Sequence, residues 1–110
     1  MYDLGLKDKV ILITGGSDGL GYASAELLSS EGAHVVICGR RGDYLFEKAK
    51  IITEKTGNEV IPIKADVSIA EDCKKLVEET IARFKKIDVL VNNAGASAAA
   101  LFEDVTDKNW

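Results

Sequence analysis

Val10-Ile11-Leu12-Ile13 runs directly into Thr14-Gly15-Gly16-Ser17-Asp18-Gly19-Leu20-Gly21, and no other segment limits the possible folds as tightly. An unbroken β-branched run bounded by glycines reads as a strand buried on both faces, the kind found inside parallel sheets. Behind it, Leu20, Ala23, Leu27 and Leu28 fall at helical spacing. The glycines therefore occupy a strand-to-helix turn. Bare backbone in such a turn can approach a phosphate group closely, and the helix start behind it offers unpaired N–H groups at the positive end of a dipole.

The rest of the chain repeats the alternation. Short apolar runs at Val10–Thr14, His34–Cys38, Val60–Lys64 and Val89–Asn92 predict strands. Helical periods predict helices over Leu20–Glu31, Tyr44–Thr56 and Ile69–Phe84. In the last of these, Ile69, Cys73, Leu76, Val77, Thr80, Ile81 and Phe84 share one face, and Ser68 with Glu71 has the spacing of a capping box. Gly32 and Gly57 follow the first two helices as stops. Strict alternation with short connections implies an α/β fold of the Rossmann type: a parallel sheet in strand order 3-2-1-4 with helices on both faces. Pro62 fits this order, because proline cannot donate to a ladder and the third strand lies at an edge.

Composition removes several function classes. With 14 Lys and Arg against 18 Asp and Glu, the net charge is −4, and no basic stripe points to nucleic acid. No apolar stretch approaches the ~20 residues of a membrane helix, and the N-terminal residues lack the pattern of a signal peptide. Cys38, Cys73 and the single histidine, His34, have no metal-ligand spacing. Two unpaired thiols suit a reducing compartment, so the chain is expected to be cytoplasmic, with no metal and no membrane partner.

The second strand ends Gly39-Arg40-Arg41. Dinucleotide-binding units usually place a carboxylate there to grip the adenosine ribose hydroxyls. Glycine in that place removes the charge that would repel a ribose 2′-phosphate, and a guanidinium can clamp such a phosphate with two parallel hydrogen bonds. The pattern favours NADP, with NAD possible. Two alternatives stay open: Arg40 and Arg41 merely solvate the next helix start, or Asp18, an acid inside the loop, opposes the phosphate or holds Arg40. A P-loop nucleotidase is excluded, since Tyr22 follows Gly21 where a lysine is required.

With these residues in place, the chain resembles the short-chain dehydrogenase/reductase family. Thr14-Gly15, then three residues, then Gly19-Leu20-Gly21 has that family's glycine spacing, Asp66-Val67 after the third strand looks like its adenine-edge pair, and Asn92-Asn93-Ala94-Gly95 is similar to its Asn-Asn-Ala-Gly signature. Trp110 looks like the tryptophan opening a later helix. The resemblance implies a cofactor site built from Gly15, Ser17, Asp18, Gly19, Leu20, Gly21, Arg40, Arg41, Asp66, Val67, Asn93, Ala94 and Gly95. It also implies hydride transfer between a nicotinamide and a carbonyl or alcohol carbon. The lead-in and the Gly-Arg-Arg ending look most like members that reduce 3-oxoacyl thioesters.

The family's tyrosine, lysine and serine catalysts follow the Asn-Asn-Ala-Gly motif, beyond what these 110 residues hold. The chain is therefore expected to be one truncated dinucleotide-binding domain, residues 1–110, with no catalytic residue of its own and no turnover alone. The alternative is a non-catalytic dinucleotide-binding module. Tyr44 and Lys48 imitate the tyrosine–lysine spacing, but they open the helix after Arg40-Arg41, at the adenosine end, and Tyr44 reads as an exposed first-turn residue. The apolar edge at Val89–Asn92 suggests a homo-oligomer.

Overall fold

The structure, a computed structural model, describes residues 5–93. Ala94, Gly95 and Trp110 lie outside them. The element order is β1 (Val10–Thr14), α1 (Gly19–Ser30), β2 (His34–Gly39), α2 (Gly42–Thr56), β3 (Val60–Lys64), α3 (Ala70–Phe84) and β4 (Val89–Asn92). All strand pairs are parallel, in the order β3-β2-β1-β4. The expected topology is therefore present, and Pro62 lies on the outermost strand opposite Ile37.

Strand alternation divides the core. Ile11, Ile13, Val35 and Ile37 face α1 and α2, packing with Ala25, Leu45, Ala49 and Ile52. Leu12, Val36 and Cys38 face α3, packing with Cys73, Leu76 and Val77. Every residue of β1 is buried, as a central parallel strand covered on both faces requires. The lower end of the sheet is tied by Asp88, whose carboxylate accepts the Val10 N–H at 2.8 Å while its own N–H donates to the Val10 carbonyl at 2.9 Å.

The buried face of α1 is set by small residues, and one local expectation, the cap of α3, needs correction. In α1 the buried residues are Gly21, Ala25 and Ser29, while Leu20 and Leu27 are 78% and 59% exposed. A small-residue face lets this helix approach the sheet closely, and proximity decides the buried side here rather than hydrophobicity. The Ser29 hydroxyl is satisfied by Thr56 Oγ1 at 3.0 Å, which ties α1 to the end of α2. At the start of α3, Ser68 forms no capping box. Its N–H and hydroxyl both donate to Asp66 Oδ1, at 3.0 and 2.6 Å, and Ile69 precedes the helix without a side-chain cap. Asp66 wins because its carboxylate, two residues back, closes a tight local turn around Ser68.

Candidate functional site

Because all the strands are parallel, the segments that follow β1, β2 and β3 gather at one edge of the sheet, where crossover helices leave a crevice. The turn after β1 is clamped from two sides. Gly15 and Gly16 both donate their N–H groups to the Cys38 carbonyl, at 3.1 and 3.4 Å. A Cβ on Gly16 would come within 2.5 Å of Ile37 Cγ2, and one on Gly21 would collide with the Gly15 carbonyl oxygen. Gly15 and Gly19 hold φ values of +68° and +53°, which favour glycine.

The start of α1 is electrostatically open. Asp18 stands at the N-cap with no side-chain capping bond, and the first turn carries no acidic residue. Nothing lies within 4 Å of where a Gly19 Cβ would be. Exposed amide donors, a bare backbone and clear space suit an oxyanion such as a pyrophosphate.

Beside the loop lies a cleft of about 780 Å³, lined by Gly15, Ser17 and Asp18, by Cys38, Gly39, Arg40, Arg41 and Tyr44, and by Ala65, Asp66, Val67 and Ser68. The structure thus brings together seven of the residues expected from sequence: Gly15, Ser17, Asp18, Arg40, Arg41, Asp66 and Val67. Gly19 and Leu20 are exposed in the first turn of α1, Gly21 is buried behind the loop, and Asn93 is exposed at the end of β4. Ala94 and Gly95 fall outside the described residues.

The charges in the cleft are arranged in a particular way. Two hydrogen bonds from Ser68, with a smaller contribution from the Arg40 charge, hold the Asp66 carboxyl below its ordinary range. Burial pushes the Cys38 thiol up to about 12, so it is no nucleophile at neutral pH. The Tyr44 hydroxyl donates to Asp18 Oδ1 at 2.7 Å, and Arg41 Cζ lies 4.5 Å from the Tyr44 ring centroid. Asp18 therefore accepts its hydrogen bond from Tyr44 and does not hold Arg40. Among the described residues, neither Arg40 nor Arg41 forms an ion pair with an acid.

Two residues matter more than their sequence context suggests. Tyr44 is half-buried and lines the cleft rather than standing free in solvent, held there by Asp18. Its signal was an aromatic one turn into the helix that follows two arginines. Thr14 is fully buried; its hydroxyl donates to Asn92 Oδ1 at 2.9 Å and accepts the Asn93 N–H at 3.0 Å. This locks the end of β4 to the start of the glycine loop. The Tyr44–Lys48 pair that imitates a catalytic spacing is a contact of ammonium over ring, 5.2 Å from the centroid, and Lys48 lies 5.0 Å from the Tyr22 ring as well.

Residues 9–110 match the family model described as short chain dehydrogenase. Among curated proteins, 11-beta-hydroxysteroid dehydrogenase-like 3 of Arabidopsis thaliana is 45% identical over 98 residues, which cover 89% of this chain and 32% of that protein. The 11-beta-hydroxysteroid dehydrogenase A of Sesamum indicum is 41% identical over 99 residues, or 90% of this chain and 28% of that one. Among solved structures, L-sorbose reductase from Gluconobacter frateurii, complexed with NADPH and L-sorbose, superimposes with a TM-score of 0.82 at 42% identity. It covers 86% of this chain and 36% of the reductase chain. The chain spans 28–32% of the length of these two curated relatives.

Proposed function

The chain belongs to the short-chain dehydrogenase family, and on that premise we propose that it is the NADP(H)-binding portion of an oxidoreductase acting on carbonyl and alcohol carbons. The carrying observation is the placement of the open α1 start, the glycine turn and two arginines that form no ion pair among the described residues around one cleft. Backbone amides of the turn and of Gly19-Leu20-Gly21 receive the pyrophosphate. Arg40 and Arg41 take the adenosine 2′-phosphate, with Gly39 leaving room and adding no negative charge. Asp66 and Val67 border the adenine, Thr14 fixes the end of β4 beside the glycine turn, and the resemblance assigns Asn93, Ala94 and Gly95 to the cofactor ribose. When bound, the nicotinamide supplies or accepts the hydride.

The substrate is a ketone or a secondary alcohol. The relatives are named for a steroid and a ketose, alongside the 3-oxoacyl thioester suggested by the lead-in to β1. No helix among the described residues is long and apolar enough to cross a membrane. The two free thiols suit a cytoplasmic enzyme, and the edge strand β4, with Val89 exposed, suits assembly as an oligomer through that side of the sheet.

Titration of the purified chain with NADPH and NADH tests the reading. Tighter binding of NADPH supports it, and absence of binding to either overturns it. Carbonyl-dependent oxidation of NADPH by the 110-residue chain alone, above a heat-inactivated control, would overturn the expectation that this portion binds cofactor without turnover.

A further inference from the structure

Tyr44 holds an anion and a cation on one side chain: the Asp18 carboxylate at its hydroxyl, 2.7 Å away, and the Arg41 guanidinium over its ring, 4.5 Å from the centroid. All three line the cleft with Arg40. Such an acid and two arginines would ordinarily attract one another, and an Asp18–arginine pair would cancel charge where an anionic ligand needs it. Here the phenol satisfies the carboxylate instead, and the ring face gives Arg41 a platform that needs no anion.

We propose that Tyr44 is a specificity-determining positioning residue: by pinning Asp18 and stacking Arg41 it keeps both arginines available for a ribose 2′-phosphate. It does so without a charge of its own, so it favours the phosphorylated cofactor by what it withholds from the arginines. The inference rests on the proposed assignment of the 2′-phosphate to Arg40 and Arg41. Removal of the hydroxyl alone frees Asp18 to turn toward the guanidinium groups and toward the phosphate, and either movement weakens NADPH more than NADH.

The test compares dissociation constants for NADPH and NADH in the parent chain, in Tyr44→Phe, and in Tyr44→Phe combined with Asp18→Asn. Phenylalanine retains the ring under Arg41, so the substitution isolates the hydroxyl. The NADH-to-NADPH ratio of dissociation constants should fall about fivefold or more in Tyr44→Phe and return to the parent value or above in the double variant. Thermal midpoints should agree within about 2 °C, because an exposed hydrogen bond is what is lost. A merely structural tyrosine would weaken both cofactors alike and gain nothing from Asp18→Asn. An unchanged ratio in Tyr44→Phe, or no recovery in the double variant, overturns the inference. A parent ratio near one overturns the NADP assignment by itself, whereas the role of Tyr44 is read from the change between parent and variant. A parent that binds neither cofactor overturns both.

Discussion

Gly21 packs so tightly under the glycine turn that a methyl group there would strike the Gly15 carbonyl oxygen and sit 2.8 Å from its carbon. The same methyl would come 3.1 Å from the Asn93 side-chain nitrogen. Loop, first helical turn and the end of β4 thus meet at one Cα. Gly21→Ala should therefore destabilise the chain by about 1–3 kcal/mol, the usual range for overpacking, and weaken NADPH binding at least tenfold as the loop shifts (~1.4 kcal/mol). Denaturant melts together with cofactor titration check this; a Gly21→Ala chain that binds like the parent would show that the loop does not need its observed packing.

Gly19 presents the opposite case. Its φ of +53° is the only constraint, since a Cβ there would meet nothing within 4 Å. Gly19→Val should cost about 1–2 kcal/mol of backbone strain while placing a branched side chain where phosphate must approach. Binding should suffer more than folding. If calorimetry gave equal NADPH affinity for Gly19→Val and parent, the phosphate would have to lie elsewhere.

Thr14 offers a test of the lock between β1 and β4. Valine keeps its shape but removes a buried hydroxyl that donates to Asn92 and accepts from Asn93. Leaving the Asn93 N–H without that acceptor should cost about 1–3 kcal/mol, and Thr14→Ser should recover most of it. Equal denaturation midpoints for Thr14→Val and parent would mean that water replaces the hydroxyl.

The sheet order, the three helices and most of the cleft were legible because each rests on a period of apolar residues or on glycine spacing. What escaped was pairwise. Leu20, Ala23, Leu27 and Leu28 showed only that α1 is helical; which face is buried follows from closeness to the sheet, which selects Gly21, Ala25 and Ser29. Ser68 and Glu71 had the spacing of a cap, but Asp66 competes for the same donors. Tyr44 and Asp18 lie 26 residues apart. A hydrogen bond across that separation exists only once α2 has packed beside the loop, so no local pattern encodes it.

Acid should loosen both ends of the sheet. The Val10 N–H and Lys86 hold the Asp88 carboxyl below its ordinary range, and Ser68 does the same for Asp66. A carboxylate with a depressed folded-state value contributes stability that is fully present above its unfolded value, about 4, and is lost as pH falls through the folded value. The contribution of these two carboxylates should thus be flat above about pH 5 and decline below about pH 4. Asp88→Asn should be less stable near neutrality and show a shallower decline in acid, as urea midpoints across pH would record. A parallel curve for the variant would assign the decline to other groups.

Cofactor preference is the sharpest test of the site, because the substitution that should reverse it also fits the fold. A Cβ on Gly39 would meet Leu45 Cδ1 at 3.6 Å and Ser17 Oγ at 3.7 Å, both ordinary contacts, and Gly39 is not among the glycines with positive φ. Aspartate can therefore enter there without strain, at the end of β2 and beside the cleft. Combined with Arg40→Ala, it removes a cation that forms no ion pair among the described residues and adds a carboxylate able to accept both ribose hydroxyls. Hydrogen bonds to charged groups are worth about 1.5–3 kcal/mol each, and Arg40 is exposed, so solvent screening places its contribution toward the lower end of that range. The parent should accordingly prefer NADPH by about tenfold, and Gly39→Asp with Arg40→Ala should prefer NADH by a similar factor. Dissociation constants for both cofactors, measured on both proteins at one ionic strength, decide the matter. If the parent binds NADH as tightly as NADPH, Asp18 governs the cleft and the two arginines do no more than solvate the start of α2.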